Sequence, residues 1–168
     1  MDTASAPESP DPKWNNPIEV KIILSVLDQL GDAAKRAVVL SPYNAQVKKL
    51  SEKLTEWGGQ KMGERVYTVD GFQGREADIV IVSMVRCNDA RPDELFKRLG
   101  FMFEVERVNV LFSRSRELLI IVGCFGQFYQ SESEFWPMLC DQIMSSKDAA
   151  RVSYVDVMDG ALIRGATP

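Results

Sequence analysis

Three short segments carry side chains whose types and spacing could do chemistry. The densest runs Thr68-Val69-Asp70-Gly71-Phe72-Gln73-Gly74-Arg75-Glu76-Ala77-Asp78. Gly71 and Gly74 permit positive φ and let the backbone approach a ligand closely. Gln73 offers both a donor and an acceptor, and the Glu76 carboxylate can accept two hydroxyl protons, as from a ribose. A charged connection turning on its glycines has the same composition. The second segment is Glu106-Arg107-Val108-Asn109-Val110-Leu111-Phe112-Ser113-Arg114-Ser115-Arg116. If it is helical, Arg107 and Arg114 stand about two turns apart and project from nearly one face. A guanidinium keeps its proton and presents a fork of donors, which suits a developing phosphoryl charge. The alternative is a solvated basic face paired with Glu104, Glu106 and Glu117. The third segment is Leu40-Ser41-Pro42-Tyr43-Asn44-Ala45-Gln46-Val47. Ser41, Asn44 and the free amides of a helix start could hold a phosphate there; ordinary capping uses the same residue types.

The elements that must position these segments alternate along the chain. Asn16-Pro17 followed by Glu19 predicts a helix start, with a capping side chain, proline in the first turn and an acid behind it. Val20, Ile23, Leu24, Leu27 and Leu30 then recur at helical spacing, and Gly31 supplies the stop. Ala37–Leu40 is an apolar run typical of a strand covered on both faces. From Asn44, the residues Val47, Leu50, Leu54 and Trp57 mark one face of a second helix closed by Gly58-Gly59. Arg65–Val69, Ile79–Val85 and Leu118–Val122 read as further strands, Phe125–Met144 carries helical spacing, and Arg151–Met158 reads as a late strand. Strands of four to seven residues separated by helices imply an α/β three-layer sandwich with a mainly parallel sheet. Ligands on such sheets collect at the carboxyl ends of strands, which singles out the loops after Leu40, Val69, Val85 and Val122. The organisation expected is a linker over 1–15, one domain over 16–164 and a tail at 165–168.

Composition narrows the class. The 168 residues are 45% hydrophobic, enough for one core. Lys and Arg total 20 against 24 Asp and Glu, a formal charge of −4, so any nucleic-acid contact must be local or shared with other protein. No histidine occurs, which removes His-dependent acid–base chemistry, and Cys87, Cys124 and Cys140 lack the spacing of a zinc site. No metal ligands are therefore assigned. Buried reduced thiols suit an intracellular protein. No segment approaches the length of a membrane span, and no membrane partner is expected.

In combination the three segments resemble the superfamily 1 helicases. Ser41–Val47 is similar to motif IV, Thr68–Arg86 to motif V and Arg107–Arg116 to motif VI, with the senataxin-like, nonsense-mediated-decay group the nearest branch. The resemblance runs from about Ala37 to Gly123. It implies a RecA-like fold of the P-loop NTPase type, here the second of two domains that close on one ATP and its Mg2+ while gripping a single strand of RNA or DNA. It further implies that Arg114 is the arginine finger, with Arg107 in the same cluster. Gln73, Gly74 and Arg75 would line the nucleotide cleft, and Glu76 would hold the ribose. Ser41, Tyr43 and Thr68 would face the nucleic-acid backbone. Three features depart from the pattern. Glu106 stands where the first of two consecutive arginines is usual, Ser113 where threonine is usual, and Phe112 and Ser115 replace a smaller aliphatic residue and an alanine. The phosphate loop GxxxxGK[ST] and the acidic magnesium-binding strand end are not in the sequence. The chain is therefore expected to need a first RecA-like domain and to be inactive by itself, as a piece of a longer helicase or a truncated relative. The alternative is a helicase-derived binding or regulatory module without catalysis.

Overall fold

The computed structural model describes residues 14–87 and 99–145, and the strands 155–158 and 161–164. Helix α1 (Pro17–Leu30) starts where the sequence predicts. The Asn16 side chain accepts from the N–H groups of Ile18 and Glu19, and Gly31 follows the last turn. Strand β1 (Ala37–Ser41) is buried throughout. It leads into α2 (Asn44–Gly58), which a single turn, α3 (Gln60–Gly63), extends. Then follow β2 (Val66–Thr68), β3 (Ala77–Ser83), α4 (Val105–Phe112) and β4 (Ser115–Val122). The helical spacing after Phe125 resolves into α5 (Phe125–Tyr129) and α6 (Phe135–Ser145). The late strand is β5 (Val155–Met158), paired antiparallel with β6 (Ala161–Arg164) in a separate small sheet.

The main sheet has the order β2-β1-β3-β4 and every pairing in it is parallel. Alternation along the strands divides the core in two. Ala37, Val39, Ile79, Ile81 and Val122 pack against α1 and α2 through Ile23, Leu27, Leu50 and Leu54. Val38, Leu40, Val80 and Val82 face Phe72, Val108, Leu111, Phe128 and Trp136. That is a three-layer α/β domain.

One connection matters for everything below. Residues 69–76 leave the carboxyl end of β2 and enter the amino end of β3, so they must pass over β1. Ser41 pairs with Thr68 and Ala37 with Ile79. Thr68 and Ala77 are therefore separated by about 20 Å along the strands and about 10 Å across two strand spacings. Nine Cα steps reach about 30 Å when fully extended, and a 3-10 turn over Asp70–Phe72 shortens them. The strap has little slack. Parallel crossovers ordinarily use a dozen or more residues; this one is held down by Phe72, which is 2% exposed and sits in the second core.

Trp14 and Asn15, placed by sequence with the linker, dock on the domain. The Arg86 guanidinium lies 4.2 Å from the Trp14 ring centroid, and Asn15 accepts from Lys49 Nζ at 3.2 Å. Residues 1–13 and 165–168 lie outside the described residues. All three cysteines are free and buried, and burial pushes the Cys140 thiol up to about 11. No helix among the described residues is long and apolar enough to cross a membrane.

Candidate functional site

The strap and α4 distribute the sequence-predicted residues over two opposite edges of the sheet. A cleft of about 670 Å³ opens at the amino ends of β1, β3 and β4. The carboxyl ends singled out by sequence are therefore only part of the answer. The correction follows from topology, because a parallel crossover that begins at a carboxyl end has to deliver its last residues to the amino edge. Arg75 and Glu76 line this cleft, with Tyr67 and Phe72 as its aromatic wall. The Arg75 guanidinium lies over both rings, 4.7 and 5.1 Å from their centroids. Six of the lining residues are cationic: Lys35, Arg36, Lys61, Arg65, Arg75 and Arg116. Three are acidic: Glu64, Glu76 and Asp78. A chain of net charge −4 thus concentrates positive charge at one place.

Within the cleft the charges form a ladder. Arg36 pairs with Asp78 at 3.1 Å and with Glu117. Arg116 pairs with Asp78 at 3.4 Å and with Glu76 at 3.3 Å. These groups are about half exposed, so each pair contributes little to stability and can exchange its partner for a ligand. Arg36, Lys61 and Arg65 were missed by sequence reasoning. Their signal is positional, since they lie just ahead of β1 and β2.

Arg114 reaches the same edge by its backbone: its carbonyl accepts from the N–H of Ala77, next to Glu76, at 3.0 Å. The helix ends at Phe112, so Arg114 stands in the turn beyond it rather than on one helical face with Arg107. The chain has to leave the helix there to enter β4 at Ser115. The Arg114 guanidinium folds back on that helix end, with Nε donating to the Val110 carbonyl at 2.8 Å and Nη2 to Ser113 Oγ at 3.0 Å. Among the described residues it makes no buried ion pair. Arg107 sits at the other end of α4, about 10 Å away along the axis. There it contacts Asp70 of the strap at 3.5 Å and Glu104 at 3.4 Å, and covers the Phe101 ring. Of the basic-face pairings that sequence allowed, the one with Glu104 forms, whereas Glu117 goes to Arg36. Gln73 and Gly74 are exposed on the strap. Gly74 has φ +75 and Gly71 does not share that conformation. Gly71 answers to space instead, because a Cβ there would meet Thr68 Oγ1 at 2.9 Å.

The carboxyl edge gathers the other three. Thr68 Oγ1 accepts from the Gly71 N–H at 3.0 Å and shapes the start of the strap. Tyr43 is half-buried and its hydroxyl accepts from the Phe101 N–H at 3.3 Å. Ser41 is fully buried, so it supports the turn into α2 and offers no surface of its own. Beneath this edge lies a polar cluster that sequence reasoning took for simple capping. Glu19 is completely buried. Its carboxyl accepts from Ser83 Oγ at 2.6 Å and from the Val85 N–H at 2.9 and 3.0 Å. Asn16 Nδ2 reaches Glu19 at 3.4 Å and the Val85 carbonyl at 3.2 Å. Gln46 donates to Ser83 Oγ at 2.8 Å and accepts from the Asn16 N–H at 2.8 Å. Burial drives the Glu19 carboxyl up to about 8, against the pull of the Ser83 hydroxyl and the Val85 N–H. Val85 itself has φ +69, a costly conformation for a β-branched residue.

Comparison with known proteins agrees with this architecture. A profile of the AAA domain family matches residues 1–125, and the similar curated proteins are helicases. The chain belongs to the superfamily 1 helicases. This helicase region is 41% identical over 104 residues to the DNA polymerase alpha-associated DNA helicase A of Saccharomyces cerevisiae, covering 58% of the chain and 14% of the relative. It is 25% identical over 150 residues to Helicase SEN1 of the same yeast, covering 84% and 6%. An "Uncharacterized ATP-dependent helicase" of Methanocaldococcus jannaschii is 32% identical over 112 residues, covering 67% and 15%. The helicase region thus spans at most 15% of the length of these relatives. The resemblance read from motifs IV to VI to the senataxin-like group is borne out, and so is the α/β class with a parallel sheet.

Proposed function

We propose that this region is the C-terminal motor half of an ATP-dependent helicase acting on RNA or DNA, completing an ATP site whose phosphate loop and Mg2+ ligands belong to a first RecA-like domain. The observation that carries the reading is the Ala77–Arg114 backbone bond, which brings the Arg114 backbone next to Glu76 at the edge of the cleft. The cleft suits a nucleotide. Glu76 can exchange Arg116 for ribose hydroxyls, Arg75 lines the cleft with Gly74 turning the strap just ahead of it, and its cations favour phosphate. Arg114, once swung off the Val110 carbonyl, would act as the arginine finger. Gln73 would sit where the strap enters the cleft, and Arg107 would fasten the strap to α4 through Asp70. Tyr43 and Thr68 would meet the nucleic-acid backbone, with Ser41 behind them. An intracellular setting fits the three buried thiols.

Coupling between the two ligands follows from the strap, whose ends are Thr68 at one edge and Glu76 at the other. A second reading, a helicase-derived module without hydrolysis, draws on one feature, Glu106 in place of the usual arginine, exposed on α4. Reconstitution separates the two. The chain alone should show no ATP hydrolysis, and covalently joined to a phosphate-loop RecA-like domain from a similar helicase it should hydrolyse ATP with stimulation by single-stranded nucleic acid. A joined protein that binds nucleic acid but never turns over ATP supports the module instead.

A further inference from the structure

The buried cluster beneath the carboxyl edge does something the motor reading does not use. It draws together three distant segments: Asn16 and Glu19 at the start of α1, Gln46 in the first turn of α2, and Ser83 and Val85 at the exit of β3. A site needed only for stability is ordinarily filled with apolar side chains, because burying a carboxyl group is costly. Among the described residues every partner of the carboxyl is a donor, and one of them is the N–H of a residue in a strained conformation. The Arg86 N–H bonds the Met84 carbonyl across Val85 at 2.8 Å. With φ +69 at Val85, this is a γ-turn of the rare left-handed kind. Such a turn persists only where its surroundings over-determine it. The chain leaving it places Arg86 over Trp14, and both Arg86 and the Tyr43 hydroxyl border Gly100.

We propose that Glu19 is a positioning residue for the nucleic-acid edge: by gripping the Val85 N–H it locks the exit of β3 to the start of α1 and, through Ser83 and Gln46, to the start of α2, and so fixes the surface around Tyr43. The proposal rests on reading that edge as the nucleic-acid face. A glutamine at position 19 can keep the grip, its carbonyl accepting from Val85 and its amide donating to Ser83 Oγ. Alanine cannot.

The test uses the full 168-residue chain with fluorescein-labelled twenty-nucleotide oligo-dT and oligo-U at low salt, read by fluorescence anisotropy, beside amide hydrogen exchange. Glu19→Ala should weaken binding by at least about tenfold, and Glu19→Gln should stay within about threefold of the unaltered chain. Ile23→Ala, a core truncation on the same helix, should bind normally at temperatures where it is folded. Exchange at the Val85 and Arg86 amides should accelerate in Glu19→Ala alone. If Glu19→Ala fails to fold, Glu19→Leu, which fills the space but offers no acceptor to the Val85 N–H, takes its place with the same expectations. Equal losses in Glu19→Ala and Ile23→Ala, or unchanged exchange at Val85, would overturn the positioning role. If the unaltered chain binds neither oligonucleotide, the nucleic-acid reading fails, and the exchange result alone decides whether Glu19 positions the turn.

Discussion

Replacing Arg114 by alanine, in a protein where this region is joined to a phosphate-loop domain, probes the arginine-finger reading with magnitudes the structure supplies. At rest the guanidinium holds two hydrogen bonds to its own helix end, at 2.8 and 3.0 Å. Each contributes about 1 kcal/mol net, so swinging the side chain into the cleft costs about 2 kcal/mol. A finger on a transferring phosphoryl group supplies a factor of about 10³–10⁵, or about 4–7 kcal/mol. The swing is therefore favourable in the transition state, where charge develops on the transferring phosphoryl group, and unfavourable in the empty site. Arg114→Ala should lower kcat by about 10³–10⁵, leave ATP affinity within a few-fold and reduce fold stability by no more than about 2 kcal/mol. Arg114→Lys keeps the charge but loses the fork, and should recover only a small part of the rate. The assay is steady-state ATP hydrolysis at saturating nucleotide and nucleic acid, with binding followed by a fluorescent ATP analogue. A folded Arg114→Ala protein retaining more than a tenth of the rate would refute the reasoning.

Other expectations follow from the same geometry. Glu76→Ala should raise the KM for ATP by about 10–100-fold, the value of a charged hydrogen bond, and abolish the preference for ATP over its 2′,3′-dideoxy analogue in competition assays. Phe72→Ala should destabilise the domain by about 3–5 kcal/mol in urea unfolding and uncouple nucleic-acid binding from hydrolysis, since the strap loses its anchor. The buried Glu19 gives a pH dependence of defined sign. Its folded-state pKa, about 8, lies above the ordinary carboxyl value of 4.5, so the folded state binds the extra proton between those limits. Stability should be greatest below pH 4.5, as far as this group is concerned, and fall as pH rises toward 8, by at most about 5 kcal/mol. Glu19→Gln should flatten that slope in thermal melts between pH 5 and 8, and an unchanged slope would remove Glu19 as its source.

How far the sequence could be read depended on which physical signal each feature leaves. Strands β1 and β3 are covered on both faces and β4 is half-buried, so all three appear as apolar runs; α1 and α2 carry a clear apolar stripe, and α1 a side-chain cap as well. The strap was legible as a loop but not as a crossover, because strand order is not encoded locally. That is why the cleft at the amino ends, with Arg36, Lys61 and Arg65, escaped notice. Arg107 and Arg114 were placed on one face by a helix assumed to continue; it stops at Phe112. Glu19 illustrates a signal present but passed over. It lies in register with the buried Ile22, Ile23, Val26 and Leu27, on the core stripe itself, where a carboxyl group demands partners. Those partners, Ser83 and Val85, lie 64 and 66 residues further on. No local pattern could name them.

The most direct measurement is a structure of the joined two-domain protein with ADP, a metal fluoride that mimics the transferring phosphoryl group, and a short single strand. The account predicts that the Arg114 guanidinium leaves the Val110 carbonyl and lies within hydrogen-bond distance of that mimic, while Glu76 trades Arg116 for the ribose. A nucleotide seated elsewhere, with Arg114 still folded on its own helix end, would contradict it.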